Sequence, residues 1–247
     1  METQKVAAIG ATGNHGPHIT RALVDHGLEV TALTCPSSPS VLLADVEVKK
    51  VDFDSQESIT EALRGQDAVV WNVGTLVVPA QLILIDAAVS ASIKRFIPSG
   101  FGVDARLVVG TKLEPLLAGK IEVVKHLKEK AQQHADFSWT ALATGSLFEF
   151  KHVTIFDSGD ALISPSSYSL VGKAIVAMLS KVEEMKNQYL AISSFTTSQN
   201  QLLKILEQQT GEVWVQGHVS TSTLEKIGQE KLGQKNSRRV LDLMKAF

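Results

Sequence analysis

The chain has 247 residues, 24 basic against 26 acidic side chains, and a single cysteine, Cys35. That length can bury a full core, as one large domain or one domain plus a small lobe. The near balance of charge speaks against nucleic acid or a polybasic membrane surface as partner, and one cysteine leaves no intrachain disulfide and no cysteine cluster for zinc.

The opening residues Met1, Glu2 and Thr3 run into a strand without a signal-peptide pattern, and no apolar run is long enough to span a bilayer. A soluble, cytoplasmic chain is the expectation. Residues 6–9 form an apolar run of strand type. It leads into three glycines, Gly10, Gly13 and Gly16, spaced G-x-x-G-x-x-G, with Thr12, Asn14 and His15 between them. A helical pattern follows over about 15–26, with Pro17 in its first turn. Strand, glycine turn and helix start in that order are the context for dinucleotide binding. Gly10 permits the sharp turn, Gly13 lets a diphosphate approach the backbone, and Gly16 lets helix and strand pack closely. The helix N-terminus then faces the phosphates.

The second strand is predicted over 29–33. In a dinucleotide fold its end lies beside the adenosine ribose, where an acidic residue binds the 2′-hydroxyl and an arginine a 2′-phosphate. This chain has neither, only Cys35 with Ser37 and Ser38 behind it. Cys35 alternatively reads as a small half-buried filler. A third strand spans 47–51. Asp54 with Glu57 reads as a capping box opening a helix over 58–63, and Phe53 and Asp54 also suit the border of an adenine. Residues 67–72 are a nearly continuous apolar strand, as a parallel strand covered on both faces should be. Val73, Gly74 and Thr75 after it suit either a cofactor's diphosphate or ribose, or an ordinary turn.

Residues 81–92 predict a helix that begins at Gln81 and turns Leu82, Ile85, Ala88 and Val89 to one face. A fifth strand covers 95–98, ending in Pro98, Ser99, Gly100 and Phe101. A long helix spans 113–134, entered or interrupted near Pro115 and Gly119, and holds Lys120 beside an apolar face of Ile121, Val124 and Leu127. The sixth strand, 138–142, leads to Thr144 and Gly145. This alternation predicts an α/β fold, a Rossmann-type doubly wound parallel sheet over residues 1–150, whose strand ends line one crevice. Residues 151–247 predict a smaller C-terminal α/β substrate lobe. It contains a strand over 153–156, a turn over 157–160, a helix over 167–180 and a strand over 189–192. Capping boxes at Ser198 with Gln201 and at Ser222 with Glu225 each open a helix, with a strand-like stretch over 212–219 between them. A last amphipathic helix is expected around Leu241, Leu243 and Met244.

Several segments together resemble the NmrA-like group of atypical short-chain dehydrogenases, and within it the isoflavone-reductase-like proteins of fungal type. They are the glycine turn over 10–16, Gln81 with 84–88, the run Lys94 to Gly102, Gly119-Lys120, Ser138-Trp139-Thr140 and residues 193–200. The match covers nearly the whole chain, and the Pro98 to Gly102 segment with Lys120 is its most specific part. The resemblance implies NADP in the glycine crevice, with NAD still open because Cys35 stands where the family often has an arginine. It implies Lys120 as acid/base and an aromatic or phenylpropanoid-like ketone, enone or lactone as substrate. A small-molecule substrate and a monomer or homodimer follow. The Tyr-x-x-x-Lys dyad of the main dehydrogenase group is absent, since four residues after Tyr168 and Tyr189 stand Gly172 and Ser193. On its spacing alone Lys120 also reads as a solvated helix lysine, like Lys125, Lys128 and Lys130.

The chain departs from the family at Cys35, at Gly100 in place of an acidic residue, in the short passage from Phe150 to Val153, and in its end at Phe247. These departures predict a more open crevice and a reduced substrate lobe. Two further functions stay open: a non-catalytic dinucleotide-sensing regulator, and a cyclase or isomerase that keeps the cofactor as scaffold.

Overall fold

The computed structural model describes residues 3–38, 45–74, 80–112, 114–147 and 154–232. Its centre is a seven-stranded sheet of β1 (Lys5–Ile9), β2 (Glu29–Thr34), β3 (Glu47–Lys50), β4 (Ala68–Trp71), β5 (Arg95–Ile97), β6 (Ser138–Ala143) and β8 (Gln188–Ala191). The spatial order is β3-β2-β1-β4-β5-β6-β8, and every pairing is parallel. β4 and β6 are buried along their whole length. Continuous apolar sequence is what a parallel strand covered on both faces requires.

Helices cover the sheet. α1 (Gly16–Asp25) packs against α5 (Tyr168–Ser180), while α2 (Gln56–Leu63), α3 (Ala80–Ser90) and α4 (Glu114–Gln133) form a row in which each touches the next. Beneath that row lies the core, built from Ile59, Leu63, Val69, Leu84, Ile85, Phe96, Val123, Leu127 and Trp139. Strand order turns back between β1 and β4, the place where a doubly wound sheet opens a crevice at its carboxyl edge.

The chain forms two compact units, Met1–Thr144 with Ser167–Ile192, and Gly145–Ser166 with Ser193–Phe247. A division after residue 150 does not follow this path, because α5, α6 (Val182–Met185) and β8 return to the larger unit, with β8 extending the sheet beside β6. The smaller unit pairs β7 (Thr154–Phe156) in parallel with β9 (Gly217–Val219), and adds α7 (Gln199–Thr210) and α8 (Thr221–Leu232).

Local details differ from expectation for identifiable reasons. Ser55, not Asp54, caps α2: its backbone is extended and its Oγ accepts from Ser58 N at 3.2 Å, while Asp54 N donates to Asp52 Oδ1. α4 runs uninterrupted, with Pro115 in the first turn where no N–H donor is needed. The buried face of α3 is Gln81, Leu84, Ile85, Ala87 and Ala88, with Leu82 and Val89 only flanking it. The buried stripe of α4 is Leu117, Lys120, Val123 and Leu127, so Ile121 and Val124 flank it. α8 starts at Thr221, which makes Ser222 an interior residue of the first turn rather than its cap. The strand expected over 212–219 is only Gly217–Val219; Val213 and Val215 are 90 % and 94 % exposed and pair with no strand among the described residues. The capping box of Ser198 and Gln201 forms as predicted. Thr75, the passage from Phe150 to Val153 and the helix expected near Leu241 lie outside the described residues.

Candidate functional site

The glycine turn is shaped by contacts that only glycine permits. Gly10 has a φ of +79°, and a Cβ there would overlap the Asn72 carbonyl at the end of β4. A Cβ on Gly16 would overlap the Gly10 carbonyl. Gly13 N donates to Gly10 O at 3.0 Å and Gly16 N to Gly13 O at 3.2 Å. The backbone N–H groups of Thr12 and Asn14 have no acceptor among the described residues, and His15 offers α1 no side-chain cap. Exposed Thr12 and Asn14 thus present bare donors at a helix N-terminus, with Gly13 open between them, which suits a diphosphate. His15 meets the edge of the Tyr168 ring at 5.1 Å.

Other unfilled donors lie along the same carboxyl edge. Among the described residues the Nδ2 of Asn72 and the Nε2 of Gln81 are buried without a partner, as is the Thr34 hydroxyl that ends β2. Buried polar atoms are normally satisfied. Two orphans at the ends of the strands that flank β1 and one in the first turn of α3, with bare backbone donors in the glycine turn, fit a polar ligand such as a dinucleotide.

At the end of β2, Cys35 and Ser37 are exposed. Here the structure brings in a cation that the sequence pattern did not single out. Lys50, last in β3, extends its Nζ to the Ser38 carbonyl at 2.6 Å and the Cys35 carbonyl at 3.4 Å. The only clue in the sequence is that β3 ends in two lysines; the parallel pairing of β2 with β3 sets Lys50 opposite Thr34. Phe53 is half-buried, edge-on to Trp71 at 6.3 Å, and Asp54 is exposed beside it.

The segment from Pro98 to Phe101 is buried throughout. Ser99 N donates to Gln81 Oε1 at 3.0 Å, and Ser99 Oγ to the Val73 carbonyl at 2.7 Å. Gly74 next to it is exposed. Gly100, which stands in place of the acidic residue, packs tightly on β6: a Cβ there would lie 3.1 Å from Leu142 O and 3.2 Å from Leu142 N. Phe101 turns its carbonyl toward α4, where Lys120 Nζ donates to it at 2.9 Å.

Lys120 differs from the other lysines of α4. It is 5 % exposed, on the core-facing stripe, whereas Lys125 and Lys128 are exposed and Lys130 is paired with Asp86. Burial pushes its pKa down to about 8, and no neighbouring carboxylate counters that. An amine so placed holds a proton near neutral pH and can release it. Gly145 falls in the smaller unit, with a φ of +61° and no room for a Cβ against the Ser164 carbonyl. Among the described residues no cluster of His, Cys, Asp or Glu is suited to a metal, and no helix is long and apolar enough to cross a membrane.

Known proteins share this architecture. Residues 2–247 match the model of the NmrA-like family. An oxidoreductase of Aspergillus flavus, aprR, is 36 % identical over 247 residues, covering 94 % of this chain and 82 % of its own. Leucoanthocyanidin reductase of Vitis vinifera, solved as a binary complex with NADPH, superimposes with a TM-score of 0.82 at 19 % identity, covering 98 % of this chain and 85 % of that one. AtPrR2, solved with NADP+ and (+)pinoresinol, gives 0.80 at 21 % identity, covering 98 % and 86 %.

Proposed function

The chain belongs to the NmrA-like family and is an oxidoreductase of the isoflavone-reductase type, and on that premise we propose that it reduces a small aromatic or apolar carbonyl or enone compound with NADPH, Lys120 supplying the proton. The observation that carries this reading is the buried Lys120 ammonium, resting on the Phe101 carbonyl and free of any carboxylate. When bound, the reduced nicotinamide supplies a hydride. The chain's own task is to neutralise the negative charge that develops on the substrate, and Lys120 does so by donating a proton. Its stem belongs to the buried stripe of α4 while the amine meets one polar partner, the Phe101 carbonyl. The aromatic compounds in the names of the structural relatives support the substrate class.

The preference for NADPH rests on Lys50. No carboxylate follows β2 to repel a 2′-phosphate, and Lys50 places a cation among residues 35–38 where the family's arginine is missing. Lys50→Met is expected to weaken NADPH binding by about tenfold, the scale of one charge-assisted hydrogen bond, and to leave NADH binding within about twofold. Calorimetric titration of both dinucleotides checks this; an equal loss for both assigns Lys50 to the loop's structure instead.

Lys120→Met tests the central claim. It keeps most of the stem and removes the proton donor. Single-turnover hydride transfer over a panel of aromatic ketones and enones should slow by about 10²–10⁴, with dinucleotide affinity nearly unchanged. Wild-type activity should fall as pH rises above about 8, where the amine loses its proton. Turnover of the variant within about twofold of wild type removes Lys120 from the chemistry.

A further inference from the structure

Gln81 is a polar side chain on the apolar face of α3, among Leu84, Ile85 and Ala88, and it is wholly buried. Such a group costs stability unless its hydrogen bonds do something a leucine could not. We propose that Gln81 is a positioning residue for Lys120: its side-chain carbonyl fixes Ser99, and through residues 99–101 it fixes the Phe101 carbonyl on which the ammonium rests. The inference builds on the reading of Lys120 as proton donor.

The need for Gln81 arises where sheet pairing stops. The β4–β5 ladder ends at Val70 with Ile97, and the β5–β6 ladder at Phe96 with Trp139. Ser99 N, two residues beyond, has no strand carbonyl to meet, and Gln81 Oε1 supplies the acceptor at 3.0 Å. The segment is then held on its other sides. Ser99 Oγ bonds Val73 O at 2.7 Å, and Gly100 lies flat on Leu142. Gly102 N donates to Thr144 Oγ1 at 2.9 Å, and Thr144 N donates back to Gly102 O at 3.1 Å. Phe101 lies between these fixed ends, and its carbonyl is the acceptor for Lys120 Nζ at 2.9 Å. No charged side chain on α3, α4 or the strand ends shares in the shift of Lys120, which comes from burial alone. The placement of the amine therefore depends on one backbone carbonyl, and an error of about 1 Å in a reacting group is costly to rate.

The test reads Lys120 on the protein alone, by a pH titration of lysine 13Cε and 15Nζ resonances. Gln81→Leu fills the space and removes the acceptor. The ammonium then loses its hydrogen bond, and the Lys120 midpoint should fall by about one unit from its value near 8. Ser99 N should lose protection from hydrogen exchange. Gln81→Glu keeps an acceptor oxygen and should restore the midpoint to the wild-type value or above. Thr144→Val, nearly isosteric, removes one of the two bonds at the other end, keeps the backbone bond from Thr144 N to Gly102 O, and should lower the midpoint by about half as much. A midpoint in Gln81→Leu that stays within ~0.2 of wild type, or that rises, overturns the proposal. If Gln81→Leu does not fold, Gln81→Met, closer to glutamine in length and shape and lacking the carbonyl oxygen, takes its place, and an unchanged midpoint there overturns the proposal. No substrate enters this measurement, so it can succeed or fail independently of the Lys120→Met turnover that tests the proton-donor role.

Discussion

The two units of this chain are held together by different means. The larger one buries Val6, Ala7, Val69, Leu84, Ile85, Phe96 and Ile97 to 0 % exposure between a parallel sheet and its helices. In the smaller one the buried apolar side chains among the described residues are Ile155, Leu202 and Leu203, while Leu162, Ile205, Val213 and Val215 stand exposed. Side chains tied to backbone take the place of a core there. Gln199 accepts from Phe156 N at 2.9 Å and donates to Thr154 O at 3.0 Å, so one amide extends the hydrogen bonding of β7. Asn200 bonds Ser158 O and Asp160, and Asp157 holds the start of α8. Apolar burial is non-directional and tolerates a swap of similar volume. A side-chain clamp depends on particular atoms, and losing one partner leaves the other unsatisfied.

That contrast predicts which substitutions each unit fails to tolerate. Ile97→Ala opens a cavity beneath the sheet and should cost about 2–5 kcal/mol. Hydrogen exchange should report it as lost protection along β4, β5 and β6. Gln199→Leu retains volume but strands a half-buried N–H and carbonyl of β7, and should cost about 1 kcal/mol, read as faster exchange at Phe156. If Gln199→Leu proved neutral, or costlier than Ile97→Ala, the contrast would not hold.

The same difference decides what could be read from the sequence. Parallel strands announce themselves as short apolar runs, so the larger unit's strands, its longer helices and its glycine turn were legible within a residue or two, while the one-turn α6 was not foreseen. Lys120 was legible only through the family resemblance, since on spacing alone it reads as a solvated helix lysine; the structure is what sets it on the buried stripe with Leu117, Val123 and Leu127. What escaped depends on partners distant in sequence. Gln81 meets a backbone N–H 18 residues away, and the close neighbour of Gly100 is the distant Leu142. Lys50 gains meaning only from the neighbouring strand end. In the smaller unit the alternation of Val213 and Val215 imitates a strand, yet no strand among the described residues pairs with it. A cap can also shift by one residue, as from Asp54 to Ser55, because both side chains can accept the same bond.

The finest test of the contrast is the acid sensitivity of one clamp. Asp157 accepts from the Thr221 hydroxyl at 2.6 Å and from Thr221 N at 2.9 Å. Those bonds, the hydroxyl's first, hold its carboxyl below the ordinary value of 3.8. A depressed carboxylate contributes stability above its unfolded pKa and loses it as pH falls through the folded one. Protection of the first turn of α8 should therefore stay level from neutral pH down to about 4 and then decline. Asp157→Asn is the right control, since Asp157 has a φ of +50° and asparagine tolerates that conformation. It keeps an acceptor and removes the charge, so the first turn should be slightly less protected at neutral pH and lack the acid-dependent decline. The larger unit's core carries no such group at β4, where Ala68, Val69, Val70 and Trp71 are all buried, and its exchange should not follow this titration. An acid decline that persists in Asp157→Asn would place the sensitivity on another group and remove Asp157 from the clamp.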